Sequence, residues 1–374
     1  MRLDKNTELF LNLLGAGLWP DISVRGEGLM ANGSSGVNWE KVYQLAEEQS
    51  VLGVVLAGIE YSYVKPPQEL LLQWIGEVQM LEQQNKTMNQ FIAELVEKMR
   101  QADIYALLVK GQGIAQCYER PLWRCCGDVD LFLSASNYDN AKTLFSSLAS
   151  HIDAERTYNK HLAFEINDWE VELHGSLRCS LWKSVNRILD KIQKEILYSG
   201  AVRSWMNGKT QVFIPDANED VVYVFTHILN HFFRGGIGLR QICDWCRLLW
   251  TFKDKLDYGL LESRIRKMGV MTEWKAFAAL AVDYLGMPVE AMPFYSDAKS
   301  WSHKANEILS YIIETGNFGH NIDVSYQSEL PAFNRKIVTF WRSIKTSIRL
   351  MCVFPFDSIR ALFSFMFLRL RNSI

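Results

Sequence analysis

The sequence predicts an α+β fold: a small mixed β-sheet core packed with N-terminal and C-terminal helical segments. Three observations point to it. Apolar residues recur at three- and four-residue intervals before residue 103 and again after about residue 216. Between them the pattern changes to short apolar runs of strand length. Within that stretch two alternating runs flank an Asn-Asp pair, as in a hairpin. The division follows as residues 1–102 helical, 103–215 the sheet-bearing core and 216–374 helical, with no internal repeat or low-complexity segment.

Each element has a local reason. Asn38 is a plausible N-cap for a helix carrying Trp39, Val42, Leu45 and Ala46. Pro66-Pro67 opens a long helix from Glu69 towards Ala102, with Leu70, Leu71, Trp74, Ile75, Val78 and Leu81 on its packing side. Ile104 to Val109 reads as a buried strand closed by Lys110-Gly111-Gln112-Gly113. A short helix from Ile114 to Arg120, stopped by Pro121, comes next. Asp128 to Leu133 is the second strand, and Asn137 to Ser150 an amphipathic helix. His161 to Ile166 and Trp169 to His174 form the hairpin around Asn167-Asp168. From Val221 the chain is helical to Ile374.

Composition narrows the class. The 374 residues are 48% apolar and 22% charged, as in an ordinary globular chain. A net charge of −2 gives no bulk electrostatic attraction to nucleic acid. Met1 to Asn6 lacks the apolar core of a secretory signal, and no window reaches the ~18 apolar residues of a membrane span. Seven cysteines, odd in number and including the adjacent Cys125-Cys126, argue for a reducing, cytoplasmic setting. Cys125-Cys126 lacks an evident base, so packing is preferred over a catalytic thiol.

The chemistry concentrates on the second strand. Side chains alternate along a strand, so Asp128 and Asp130 point one way and Val129, Leu131 and Leu133 the other. Their Cα atoms stand about 6.6 Å apart. Two carboxylates at that spacing can converge on hard cations ~3.5–4 Å apart. Taken alone, Asp-x-Asp is more often a solvated strand edge. Gly127 before it, the glycine-rich turn at Lys110 to Gly113, and Glu170, Glu172 and His174 on one face of a later strand raise the metal reading.

At this point the chain resembles the uncharacterised bacterial nucleotidyltransferase family of the polymerase-β-like superfamily. The matching elements are Leu108-Val109-Lys110-Gly111, Arg124 with Gly127-Asp128-Val129-Asp130-Leu131, and Val171-Glu172-Leu173-His174. The Asn38-Trp39 helix with Leu45-Ala46, then His227, His231, Leu239-Arg240 and Asp244, and finally Phe354-Pro355 extend the likeness over nearly the whole chain. The resemblance implies that Asp128 and Asp130 bind both of two Mg²⁺ ions, which Mn²⁺ can replace. It implies that Glu172 holds the catalytic ion and helps to activate the acceptor. Gly111, with Lys110, Gly127 and Arg124 around it, would receive the triphosphate of ATP or another nucleoside triphosphate. Glutamate stands where aspartate is frequent, and Gly111-Gln112 where many members have Gly-Ser. The implied reaction is attack of a hydroxyl-bearing acceptor on the α-phosphate with release of pyrophosphate; the alternative is an inactive member that binds a nucleotide or a partner.

Two further patterns have bland readings. His227 and His231, with Cys243-x-x-Cys246, carry the donor types of a zinc site, but both pairs fall in predicted helix, where such spacings are simple neighbours. The basic, apolar stretch from Arg335 to Arg371 suits either an interfacial membrane helix or packing on the catalytic unit, and its interruption at Pro355 and Asp357 favours packing.

Overall fold

In the computed structural model, which describes residues 3–20, 36–317 and 332–371, helices enclose two small sheets. The N-terminal region forms α1 (Lys5–Leu18), α2 (Trp39–Glu48), α3 (Leu52–Glu60) and α4 (Gln68–Gln101). Asn38 caps α2 as expected, its side chain accepting the Lys41 N–H. α1 and α3 cross backbone to backbone. A Cβ on Gly58 would lie 1.8 Å from the Leu13 carbonyl oxygen, and one on Gly17 1.9 Å from that of Val54. Gly58→Ala is therefore expected to destabilise the protein by about 1–3 kcal/mol, read as a lower urea midpoint.

The 34 residues of α4 span about 51 Å and join two cores. Its first half buries Leu70, Trp74 and Val78 in the large helical core. Its second half buries Met88, Phe91, Ile92, Leu95 and Met99 against the sheet. Asn85 sits buried between the halves, and its Nδ2 donates to the carbonyls of Leu122 and Arg124 (2.9 and 2.8 Å).

The sheet region contains β1 (Ala106–Val109), α5 (Gly111–Ala115), β2 (Val129–Leu133), α6 (Ala135–Ser146), β3 (His151–Ile152), β4 (His161–Ile166), β5 (Trp169–His174), α7 (Lys183–Tyr198), β6 (Val202–Asn207) and β7 (Thr210–Pro215). The five-stranded sheet runs β1-β2-β5-β4-β3. β2 and β5 pair in parallel and the other neighbours antiparallel, so the sheet is mixed. The β4–β5 turn has Asn167 and Asp168 both at positive φ (50° and 64°), the backbone a two-residue hairpin turn requires.

Several boundaries differ from the sequence reading: β1 starts at Ala106, not Ile104, with Tyr105 exposed, and α6 ends at Ser146, not Ser150. The helix after β1 is one turn, Gly111–Ala115, and Pro121 opens a short 3₁₀ turn instead of ending a helix. α6 begins two residues early because Ser134 caps it, accepting the Asn137 N–H. α7 and the β6–β7 hairpin were not anticipated. Val212 and Ile214 of β7 extend the core under the sheet.

After the sheet come α8 (Ala217–Arg234), α9 (Leu239–Phe252), α10 (Tyr258–Met268), α11 (Met271–Leu285), α12 (Lys299–Thr315), α13 (Ala332–Leu350) and α14 (Pro355–Arg371). Leu350, Val353, Phe354, Ala361 and Phe365 pack into the large core, which also holds α1 to α3. The opposite side of α13 and α14 exposes Trp341, Ile348, Phe363 and Phe367. No helix among the described residues is long and apolar enough to cross a membrane.

Candidate active site

Both faces of β2 are covered. Val129, Leu131 and Leu133 enter the core beneath the sheet, whereas Phe132 belongs to the large helical core. Asp128 and Asp130 share the Phe132 side by strand alternation. The parallel register places Asp130 beside Glu172, and Phe132 beside His174. Asp128, Asp130 and Glu172 consequently each offer a carboxylate oxygen within 4.8 Å of the others. All three line a cavity of about 270 Å³, Asp130 and Glu172 brought together by register and Asp128 by the residue that leads into β2.

At the three carboxylates like charges crowd together, while Arg156, Arg178, Arg234 and Arg240 line the same cavity. Asp130 beside it, and burial, push the Asp128 carboxyl up to about 6. Lys110 is the resident cation, its Nζ 2.7 Å from Asp130 Oδ1. Burial opposes its charge, yet Asp130, with Asp128 and Glu172 adding, holds the ammonium above its ordinary range. Lys110 adopts φ 58°, costly by about 1–3 kcal/mol for a side-chain-bearing residue, at the turn out of β1. Gly111 follows at φ 41°, and a Cβ there would stand 3.5 Å from the Asp128 carbonyl oxygen. Burial disfavours the Glu172 carboxylate, but hydrogen bonds from His161 and His174 hold it well below the usual range. Burial likewise opposes charge on His174, and its bonds to Asp130 (2.7 Å) and Glu172 raise it.

Other residues singled out in the sequence occupy distinct places. Gln112 is buried and turned to α4, where its Nε2 donates to Asn85 Oδ1, so it offers the cavity no side-chain donor. Arg124 lines the cavity, but its Nε and Nη2 each donate to Asp244 of α9 at 2.7 Å, and its Nη1 donates to the Cys125 carbonyl. Tyr118 Oη donates to the same Asp244 oxygen as Arg124 Nε. A Cβ at Gly127 would make only ordinary contact with Arg240 Nη1, at 3.7 Å. His227 and His231 of α8 reach the cavity; burial, then the charge of Lys110, keeps both neutral, with His231 lowered to about 3. Cys243 and Cys246 are fully buried in apolar core, and the potential metal groups among the described residues contain no cysteine.

His161 was missed. Its Nε2 lies 2.9 Å from Glu172 Oε2, and β4 holds it directly opposite His174. Counting outward from the Asn167-Asp168 turn would have found it, since Ile166 pairs with Trp169 and each step keeps the register.

A family profile described as an uncharacterised nucleotidyltransferase matches residues 35–286, well over half of the chain. The chain belongs to that family. The match takes in α2, the whole sheet and α8 to α11; Phe354-Pro355 lies beyond it. Neither the curated proteins nor the solved structures give a significant match.

Proposed function

We propose that this nucleotidyltransferase-family chain moves a nucleoside monophosphate from a nucleoside triphosphate to a hydroxyl acceptor and releases pyrophosphate. The observation that carries the proposal is the convergence of Asp128, Asp130 and Glu172 beside the Lys110-Gly111 turn in one cavity. The donor set fits hard divalent cations. All three groups are carboxylates, and the repulsion that raises Asp128 is what a bound cation relieves. Such cations, held by Asp128, Asp130 and Glu172, would supply Lewis-acid polarisation of the α-phosphate and offset charge on the leaving pyrophosphate.

The chain's own residues have separable roles in this account. Lys110 leaves Asp130 for the triphosphate, exchanging one anion for another without losing its charge compensation. The backbone at Gly111 approaches the phosphates in place of a hydroxyl, because Gln112 faces away. Helix α5, a single turn, contributes little dipole. Glu172, held strongly ionised, accepts a hydrogen bond from the acceptor hydroxyl and orients it more than it stores a proton. The acceptor oxygen bonds to the α-phosphorus as its proton passes along the hydrogen bond to Glu172 and on to water, the bond from that phosphorus to the α,β-bridging oxygen breaks, and pyrophosphate departs with the bonding electron pair. Arg124 is fixed and its charge compensated by Asp244, so it serves as a rigid part of the wall and not as a mobile phosphate clamp.

The test is pyrophosphate release from each of the four common nucleoside triphosphates with Mg²⁺ or Mn²⁺, with cell extract supplying acceptors. Release that depends on cation and triphosphate supports the reading. Cation-dependent nucleotide binding without release identifies a binding protein instead.

The raised Asp128 carboxyl gives a pH prediction. Because the folded state holds this proton up to about pH 6, Asp128's own contribution to the stability of the metal-free protein falls as pH rises from about 4 to 6 and stays unfavourable above, opposed over the same range by the buried neutral His227 and His231. Cation binding must displace the proton below pH 6, so apparent affinity falls by about tenfold per pH unit there. The Mg²⁺-induced rise in melting temperature, measured at pH 5 and pH 8, should be large only at pH 8.

A further inference from the structure

Four of the chain's seven histidines line this one cavity: His161, His174, His227 and His231. An all-oxygen Mg²⁺ site has no need of them. Two of them flank Glu172, His174 also lying 2.7 Å from Asp130 Oδ1. His161 Nε2 and His174 Nε2 lie 2.9 and 3.3 Å from Glu172 Oε2, both rings are buried, and their centroids are 4.8 Å apart. These three side chains each offer a ligand atom within 4.8 Å of the other two. Donor separations of about 3.3–3.4 Å are the edges expected around a tetrahedral ion with bonds of ~2.0–2.1 Å, so the His174 pair already fits and the 2.9 Å His161 pair opens by a few tenths of an ångström. The simpler role for the two imidazoles is to orient Glu172 by hydrogen bonding alone.

We infer that His161, Glu172 and His174 form a second, nitrogen-rich metal position that takes a first-row transition ion of the Zn²⁺ or Co²⁺ class. The inference rests on the reading above through Glu172, the ligand shared with the Asp128–Asp130 position. The basis is donor chemistry: two imidazoles with one carboxylate select transition ions, whereas Asp128 and Asp130 with phosphate oxygens select Mg²⁺. The hairpin supplies the geometry, because His161 and His174 are register partners and Glu172 lies two residues from His174 on the same face. Asp130 Oδ1, 2.7 Å from His174 Nε2, then stands beside this position as well as within the carboxylate set.

The test is a Co²⁺ titration of the chelator-stripped full chain in saturating Mg²⁺, read by visible absorption. One equivalent of Co²⁺ with a nitrogen-ligated spectrum that Mg²⁺ does not displace is expected. His161→Gln and His174→Gln should each weaken it by more than about tenfold, the lower end of what loss of even an outer partner costs. Asp128→Asn should leave Co²⁺ affinity within about twofold. Displacement of Co²⁺ by Mg²⁺, or an unchanged spectrum in folded His161→Gln, overturns the site; if His174→Gln fails to fold, His161→Gln alone decides. The readout needs no nucleotide. Pyrophosphate release without nitrogen-ligated Co²⁺ removes this inference and leaves the proposed function. Nitrogen-ligated Co²⁺ without nucleotide-dependent release does the reverse.

Discussion

Replacing Asp128 by alanine should lower nucleoside-triphosphate-dependent pyrophosphate release by about 10³-fold or more, the scale on which a single electrostatic stabiliser of a transferring phosphoryl group is felt. The same change should leave the metal-free fold intact or strengthen it. In the native protein Asp128 is crowded by Asp130, and its carboxyl is pushed up to about 6. At pH 8 it is therefore ionised at a cost to the folded state, of the order of 3 kcal/mol, that the unfolded chain does not bear. Removing the carboxylate abolishes that cost. Urea denaturation without metal should show a midpoint at or above wild type, and Mg²⁺ should no longer raise it. Lost turnover with undiminished stability is the mark of a residue retained for ligand binding. A purely structural aspartate would show the opposite, with stability falling and the cation response unaltered.

Asp244→Ala should have the largest effect on stability. Asp244 and Arg124 are both buried and form a two-pronged ion pair, with Tyr118 as a third partner. Removing one member strands a guanidinium away from water, which typically costs about 3–5 kcal/mol. The damage should reach the site, because Arg124 follows the 3₁₀ turn at Pro121–Trp123 and leads into Gly127-Asp128. Measured by urea denaturation, the loss should appear as a lower midpoint with an unchanged slope. The double variant Arg124→Met with Asp244→Leu should recover most of the stability, since a buried pair replaced by apolar groups of similar size is often neutral. If that double variant also recovers pyrophosphate release, Arg124 serves mainly as a strut. If stability returns without release, its charge acts on the substrate.

How far the sequence reveals this arrangement depends on the range of the physics. The fold class, the hairpin and the helical flanks rest on local periodicity and turn chemistry, and the structure agrees with each. Asn167 and Asp168 tolerate the positive φ that a tight hairpin needs, so that turn is written in residue type. The sharing of a face by Asp128 and Asp130 follows from strand alternation. The parallel pairing of β2 with β5 depends on nonlocal packing; the resemblance, not periodicity, brought Glu172 to the same site. Helix α7 has a strongly amphipathic face, with Val185, Ile188, Leu189, Ile192 and Ile196 buried, and was legible but unread. The pairing of Arg124 with Asp244 joins residues 120 positions apart through a folded interior and has no local signal. The inward turn of Gln112 towards Asn85 of α4 is of the same kind.

The central claim is that one face of the β2–β5 pair binds divalent cations together with a nucleoside triphosphate. Its most direct test is anomalous diffraction from crystals soaked with Mn²⁺ and a triphosphate analogue that cannot be cleaved at the α-phosphate. Mn²⁺ is expected between Asp128, Asp130 and the α-phosphate, with the β- and γ-phosphates lying towards Lys110 and Gly111. Triphosphate bound elsewhere, or Mn²⁺ that avoids Asp128 and Asp130 while the nucleotide is present, would contradict it.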